Sequence, residues 1–157
     1  MSLFVGSCVA MVTPFTEDGV NYEALDKAIE FQISQGTDAL LACGTTGEPS
    51  TMTQQEKRDV IRFTVEQAKG RLPVIAGVGG NNTAEVVRAS KEAEELGVDA
   101  LLAVNPYYNK TNARGLIEHY RAISDAVSIP IIVYNVPSRT NYNITPEALL
   151  ELSKLKN

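Results

Sequence analysis

Apolar residues in this chain come in five short runs, each followed by an amphipathic stretch. The runs cover residues ~5–12, ALLAC at 39–43, Pro73 to Val78, ALLAV at 100–104 and PIIVY at 130–134. Short aliphatic runs bounded by turn residues read as buried strands. Between them the period changes. Leu25, Ala28, Ile29 and Ile33 share one face of a helix that Gly36 closes. T-Q-Q-E from Thr53 is a capping box opening a second helix. Asn82 opens a third, with Glu85 spaced to complete its cap and Gly97 ending it. A fourth spans roughly 113–127, and Thr145-Pro146 opens a last one as N-cap and N1 proline. Strands alternating with helices at this spacing predict a parallel sheet with right-handed crossovers.

A weak internal repeat sharpens this reading. Gly36-Thr-Asp-Ala-Leu-Leu-Ala matches Gly97-Val-Asp-Ala-Leu-Leu-Ala, and Leu72-Pro-Val-Ile is similar to Ile129-Pro-Ile-Ile. Each β-α-β-α pair thus recurs after roughly 60 residues. A doubly wound sheet alternates in the same way, but no nucleotide fingerprint supports one. Gly77-Val-Gly79-Gly80 is not G-x-G-x-x-G, and no P-loop lysine is present. Those glycines read as a tight βα turn. A (β/α)8 barrel takes about 250 residues, so five strand-helix units make five-eighths of one. Residues 1–157 are accordingly expected to be the N-terminal portion of a single (β/α)8 barrel domain, with no second domain.

Composition narrows the function classes. The chain has 157 residues, 44% hydrophobic and 21% charged, enough for one globular core. A net charge of -5 argues against nucleic-acid binding. No apolar run reaches the ~18 residues of a membrane span, and the N-terminus lacks the pattern of a signal peptide. Cys8 and Cys43 lie in apolar stretches and read as reduced core thiols of a cytosolic protein. No His/Cys/Asp/Glu spacing suggests a metal site. His119, the only histidine, reads as a surface or packing residue in the helix LIEHYRAI.

The polar clusters sit just past the carboxyl ends of predicted strands. Gly44-Thr-Thr-Gly-Glu48 follows the second, Asn105-Pro-Tyr-Tyr-Asn-Lys110 the fourth, and Asn135-Val-Pro-Ser-Arg139 the fifth. In a barrel those ends share one rim, and that rim carries the active site. Convergence of three clusters there predicts a small-molecule site.

GTTGE, PYYNK and YNVPSRT in this order resemble the dihydrodipicolinate synthase (4-hydroxy-tetrahydrodipicolinate synthase) family, among the class I pyruvate-dependent aldolases and lyases. The likeness runs along essentially the whole chain. It implies the (β/α)8 fold, a cytoplasmic lyase of lysine and diaminopimelate biosynthesis, and no cofactor. It further implies condensation of pyruvate, held as a Schiff base on a sixth-strand lysine, with aspartate semialdehyde. Under the resemblance Thr45 and Thr46, with their backbone N–H groups, hold the pyruvate carboxylate, as neutral donors suit an anion. Tyr134 moves protons. Phenols ionise near pH 10, so the resemblance supplies a relay in which Thr45 bridges Tyr134 to Tyr108 from a neighbouring subunit. Arg139 takes the carboxylate of aspartate semialdehyde in a bidentate pair. The assembly implied is a homo-oligomer, dimer or tetramer, without nucleic acid or membrane.

The resemblance has one gap. The family's imine-forming lysine lies in a motif like G-I-K-E, and Leu155-Lys156-Asn157 comes a few residues short of where that motif would begin. Lys27, Lys57, Lys69, Lys91, Lys154 and Lys156 fall on predicted helices or their ends, and Lys110 in a loop. None is given an apolar setting by its neighbours, which a Schiff-base lysine needs. The chain is therefore expected to be a piece of a longer enzyme, inactive by itself, and its uncovered sheet edge to drive self-association. Glu48 reads as ordering its loop, and Tyr107 as packing at a subunit contact. Asn81, Glu85 and Tyr107 match a candidate allosteric lysine site of inhibited relatives. Gln54 and Lys57 stand where those relatives carry histidines, and a cationic Lys57 would repel a lysine ligand. Two alternatives stay open: a sibling 2-keto-acid aldolase similar to N-acetylneuraminate lyase, which Arg139 argues against, and a non-catalytic half-barrel module for assembly or folding.

Overall fold

The computed structural model describes residues 3–157. Strand β1 (Cys8–Ala10) leads into a small antiparallel hairpin, β2 (Phe15–Thr16) and β3 (Gly19–Val20), and then helix α1 (Tyr22–Ser34). Four strand-helix units follow: β4 (Ala39–Ala42) with α2 (Gln54–Ala68), β5 (Val74–Gly77) with α3 (Thr83–Glu95), β6 (Ala100–Val104) with α4 (Ala113–Ala126), and β7 (Ile131–Tyr134) with α5 (Pro137–Thr140) and α6 (Pro146–Leu152). Two 3-10 turns, Thr45–Gly47 and Pro49–Thr51, link β4 to α2.

The five long-range strands pair in parallel in the order β1-β4-β5-β6-β7, as half of a barrel. Side-chain alternation divides the sheet into two faces. Leu40, Val74, Ala76, Leu101 and Ala103 point to the helices, where they join Leu25, Ile29, Val60, Val86, Leu116 and Ile123 in the main core. The opposite residues, Ala39, Ile75 and Ala100, form a smaller cluster against which Leu3, Phe4, Leu41 and Leu102 pack. That cluster is the inner lining of the barrel wall. β1 and β7 each pair on one side only, and Ile132 on β7 is 37% exposed.

The caps form largely where the residue types place them. Thr53 accepts from the Glu56 N–H while the Glu56 carboxylate accepts from the Thr53 N–H, a complete capping box. Thr145 accepts from Ala148 N–H with Pro146 at the first helical position. Asn82 caps α3, but Glu85 does not reciprocate as the spacing suggests. Its carboxylate is held instead by Arg88 at 2.7 Å, because an ion pair one turn along competes with the cap. Gly36 and Gly97 sit at φ +82° and +86° after α1 and α3. The repeat has a physical meaning. Asp38 accepts from the N–H of Ser7 and Asp99 from that of Val74, at 2.7 and 2.8 Å. In each copy the aspartate before Ala-Leu-Leu-Ala grips the start of the preceding strand and sets the parallel register.

Other expectations need correction. Cys43 is buried, but Cys8 is exposed at the start of β1, on the same sheet face as Ala39. The first apolar run is strand only over Cys8–Ala10, and the hairpin turning at Glu17-Asp18 and the short α5 have no counterpart in the sequence pattern. His119 is a packing residue: it is buried, its Nδ1 lies 2.8 Å from Thr83 Oγ1, and burial lowers its pKa.

Candidate active site

The loops after β4, β5, β6 and β7 come together at the carboxyl ends of the strands, around a cavity of about 490 Å³. The close fit of these loops begins at Gly77, the last residue of β5. A Cβ there would stand 2.2 Å from the Cys43 carbonyl oxygen, so only glycine lets the β4 loop cross. Gly79 is equally constrained, with the Val104 nitrogen 2.3 Å from its would-be Cβ. The tight βα turn read from these glycines is therefore present.

Cys43 takes a left-handed φ of +55°, uncommon for a residue with a side chain, and turns the chain into the Thr45–Gly47 turn. Inside the turn Gly47 and Glu48 N–H groups donate to Gly44 and Thr45 carbonyls. Thr13, unremarked in the sequence, secures it from below: its buried hydroxyl donates to the Gly47 carbonyl at 2.8 Å. The hydroxyls of Thr45 and Thr46 hydrogen-bond to none of the described residues, and Thr45 lines the cavity. Glu48 orders this loop through its backbone, which is left-handed and accepts from Thr51.

Tyr134 ends β7 and Arg139 lies in the last turn of α5, and both line the same cavity. Arg62, Arg71, Arg88 and Arg121 are ion-paired, whereas Arg139 has no ion pair among the described residues. An exposed, unpaired guanidinium lining a cavity is a ready receptor for a carboxylate. Asn81, Glu85, Tyr107, Gln54 and Lys57 line the cavity's other end, between α2 and α3. Lys57 is half-buried there, a setting its helical neighbours did not suggest.

Tyr108 behaves differently. It is 93% exposed at φ +65° and does not line the cavity. Asn109 supports this arm by donating to the Asn81 carbonyl at 3.1 Å. Among the described residues no hydrogen bond joins Thr45, Tyr134 and Tyr108; Thr45 and Tyr134 line one cavity, and Tyr108 is not part of its lining. Among them, too, no group of His, Cys, Asp and Glu side chains is arranged to hold a metal ion, and no helix is long and apolar enough to cross a membrane.

Burial pushes the Cys43 thiol up to about 12, leaving very little thiolate at neutral pH. Cys8, though raised by desolvation, is exposed. Iodoacetamide at pH 8 is thus expected to label Cys8 and spare Cys43 in the folded protein, with peptide mapping as the check. Equal labelling would mean that the β4 loop opens.

A half-barrel of parallel strands with its polar groups gathered at their carboxyl ends belongs to the (β/α)8 class. Within that class, a model of the Dihydrodipicolinate synthetase family matches residues 3–157, and the chain belongs to that family. A 4-hydroxy-tetrahydrodipicolinate synthase of Clostridium perfringens is 59% identical over 155 residues, covering 99% of this chain and 53% of the relative. The crystal structure of dihydrodipicolinate synthase from Aquifex aeolicus superposes with a TM-score of 0.93 at 51% identity, over 95% of this chain and 51% of that one. A chloride-inhibited dihydrodipicolinate synthase from Acinetobacter baumannii, complexed with pyruvate, superposes with a TM-score of 0.95 at 45% identity, over 97% and 53%. The chain thus spans about half the length of the relatives it matches.

Proposed function

We propose that these residues carry the substrate-binding and proton-transfer part of a synthase that joins pyruvate to aspartate semialdehyde. The observation that supports it best is one cavity lined by Thr45, with its unpaired hydroxyl, by the Tyr134 phenol and by the unpaired Arg139 guanidinium, in a family whose solved members include a pyruvate complex. Thr45, Thr46 and their turn donate to the pyruvate carboxylate. Pyruvate's keto carbon forms an imine with a lysine, losing water. Tyr134 gives a proton to the carbinol hydroxyl, which leaves as water, and its phenolate then takes a proton from the methyl carbon as the imine becomes the enamine. The enamine carbon then attacks the aldehyde of the second substrate, whose carboxylate Arg139 clamps. Tyr108, projecting from its own protomer, completes the relay in a neighbouring one, so the working unit is a homo-oligomer in the cytoplasm. Asn81, Glu85 and Tyr107 form a candidate effector pocket at the far end of the cavity. With Lys57 beside it and Glu85 engaged by Arg88, it favours weak response to lysine.

The seven lysines of residues 1–157 all lie outside the strands. A polypeptide of these residues, reduced with borohydride in the presence of pyruvate, is expected to keep its mass. A stoichiometric gain on one of the seven would overturn the assignment of the imine to a lysine elsewhere. In the full product of the reading frame, Arg139→Ala is expected to raise the KM for aspartate semialdehyde at least tenfold, in the range of a lost charged hydrogen bond of about 1.5–3 kcal/mol. Pyruvate trapping should persist. An unchanged KM would remove Arg139 from the site, and no turnover with these two substrates would remove the reaction.

A further inference from the structure

Arg139 sits on a loop that has to hold still for its guanidinium to be useful. The loop leaves the sheet at Tyr134 and returns at Ile144, which is 4% exposed and anchors the start of α6. Between them the chain makes the short helix α5 and reverses at Asn141, φ +54°. Three backbone donors, those of Arg139, Thr140 and Asn141, reach back to Val136 and Pro137 carbonyls. The Thr140 hydroxyl, 1% exposed, lies 3.2 Å from the Val136 carbonyl and 3.0 Å from that of Tyr142. The loop ends are joined by one side chain. Asn135 accepts from the Ile144 N–H at 3.2 Å through Oδ1, and donates through Nδ2 to Asn143 Oδ1 at 2.8 Å.

These bonds leave the Arg139 side chain as the loop's unpaired cation, on the wall shared with Tyr134. Asn135 directly follows Tyr134, so one residue ties the phenol's strand to the far end of the arginine's loop. An arm ordered before binding loses less freedom when it meets its ligand. We propose that the Asn135–Asn143 bracket is a positioning device, holding Arg139 at a set distance from Tyr134 and thereby setting affinity for the carboxylate of the second substrate. This rests on the synthase reading for the identity of that substrate, though not for the existence of the anion clamp.

Asn143 is exposed and contributes a single acceptor, so its substitution tests the bracket without stripping the buried Ile144 amide of its partner. Asn143→Leu removes the acceptor, and Asn143→Asp keeps it. In the full reading-frame product, Asn143→Leu is expected to raise the KM for aspartate semialdehyde about three- to tenfold, the equivalent of one typical hydrogen bond. Pyruvate KM should hold and Asn143→Asp should match the parent. Binding of succinic semialdehyde, which keeps the carboxylate and lacks the amine, should weaken by the same factor. Added to Arg139→Ala, Asn143→Leu should have no further effect on that binding, because a clamp without its cation has nothing left to position. A lower melting temperature with unchanged KM and probe affinity would reduce the bracket to a structural staple, as would an additive effect on Arg139→Ala. Absence of turnover would sink the synthase reading alone, since succinic semialdehyde binding by the same variants still decides the bracket.

Discussion

Tyr134→Phe in the full reading-frame product is expected to lower kcat by about 10²–10⁴-fold, the usual contribution of a general acid–base group. Removing the hydroxyl orphans nothing: the Tyr134 phenol has no hydrogen-bond partner among the described residues, and its backbone stays paired with Val104 in the sheet. The ring remains on the barrel wall. Stability should therefore change by less than about 0.5 kcal/mol, as for substitutions that break no buried contact. Binding should change little as well, because the proposed carboxylate recognition rests on Thr45, Thr46 and Arg139. Single-turnover kinetics beside a urea melt separate the two effects. Near-full turnover in the variant would transfer the proton step to another group, and a large loss of stability would make Tyr134 a packing residue.

Gly77→Ala is expected to act through shape. The new methyl would lie 2.2 Å from the Cys43 oxygen and 2.7 Å from its carbonyl carbon, both backbone atoms that no rotamer change can clear. Either β5 withdraws from β4 or the Cys43-Gly44 peptide moves outward. Overpacking of this kind costs about 1–3 kcal/mol, read as a lower denaturation midpoint. The more telling consequence is local. The displaced peptide carries Thr45 and exposes Cys43, so the thiol spared by iodoacetamide in the parent should become reactive. An alanine variant with the parental midpoint and a protected Cys43 would show that the crossing of β4 and β5 is looser than the distances imply.

Both variants probe contacts of a kind that a linear reading handles unequally. Tyr134 was recognisable because an aliphatic run ends abruptly in a phenol and a motif follows. Gly77 was legible only as a turn glycine, since the atom that forbids a side chain there belongs to a residue 34 positions earlier. Thr13 gave no signal at all. One threonine just before Pro14 is unremarkable until the fold places the Gly47 carbonyl against it. Asn135 stood in a quoted motif, but its bracket with Asn143 and Ile144 needed the loop's return path.

By itself the sequence determined the alternation of strands and helices, where α2 and α6 begin, where α1 and α3 end, and the placement of polar clusters past strand ends. These depend on neighbours within one or two turns: hydrophobic period, a capping hydroxyl, a proline at N1, a glycine that tolerates positive φ. Tertiary structure alone decided that Glu85 turns to Arg88, that Cys8 lies open while Cys43 is sealed, that Lys57 reaches the cavity, and that Tyr108 stands exposed outside the cavity Tyr134 lines. Each of those outcomes depends on which distant segment covers a residue. Burial and electrostatic partnership are properties of the packed assembly, and short-range pattern does not encode them.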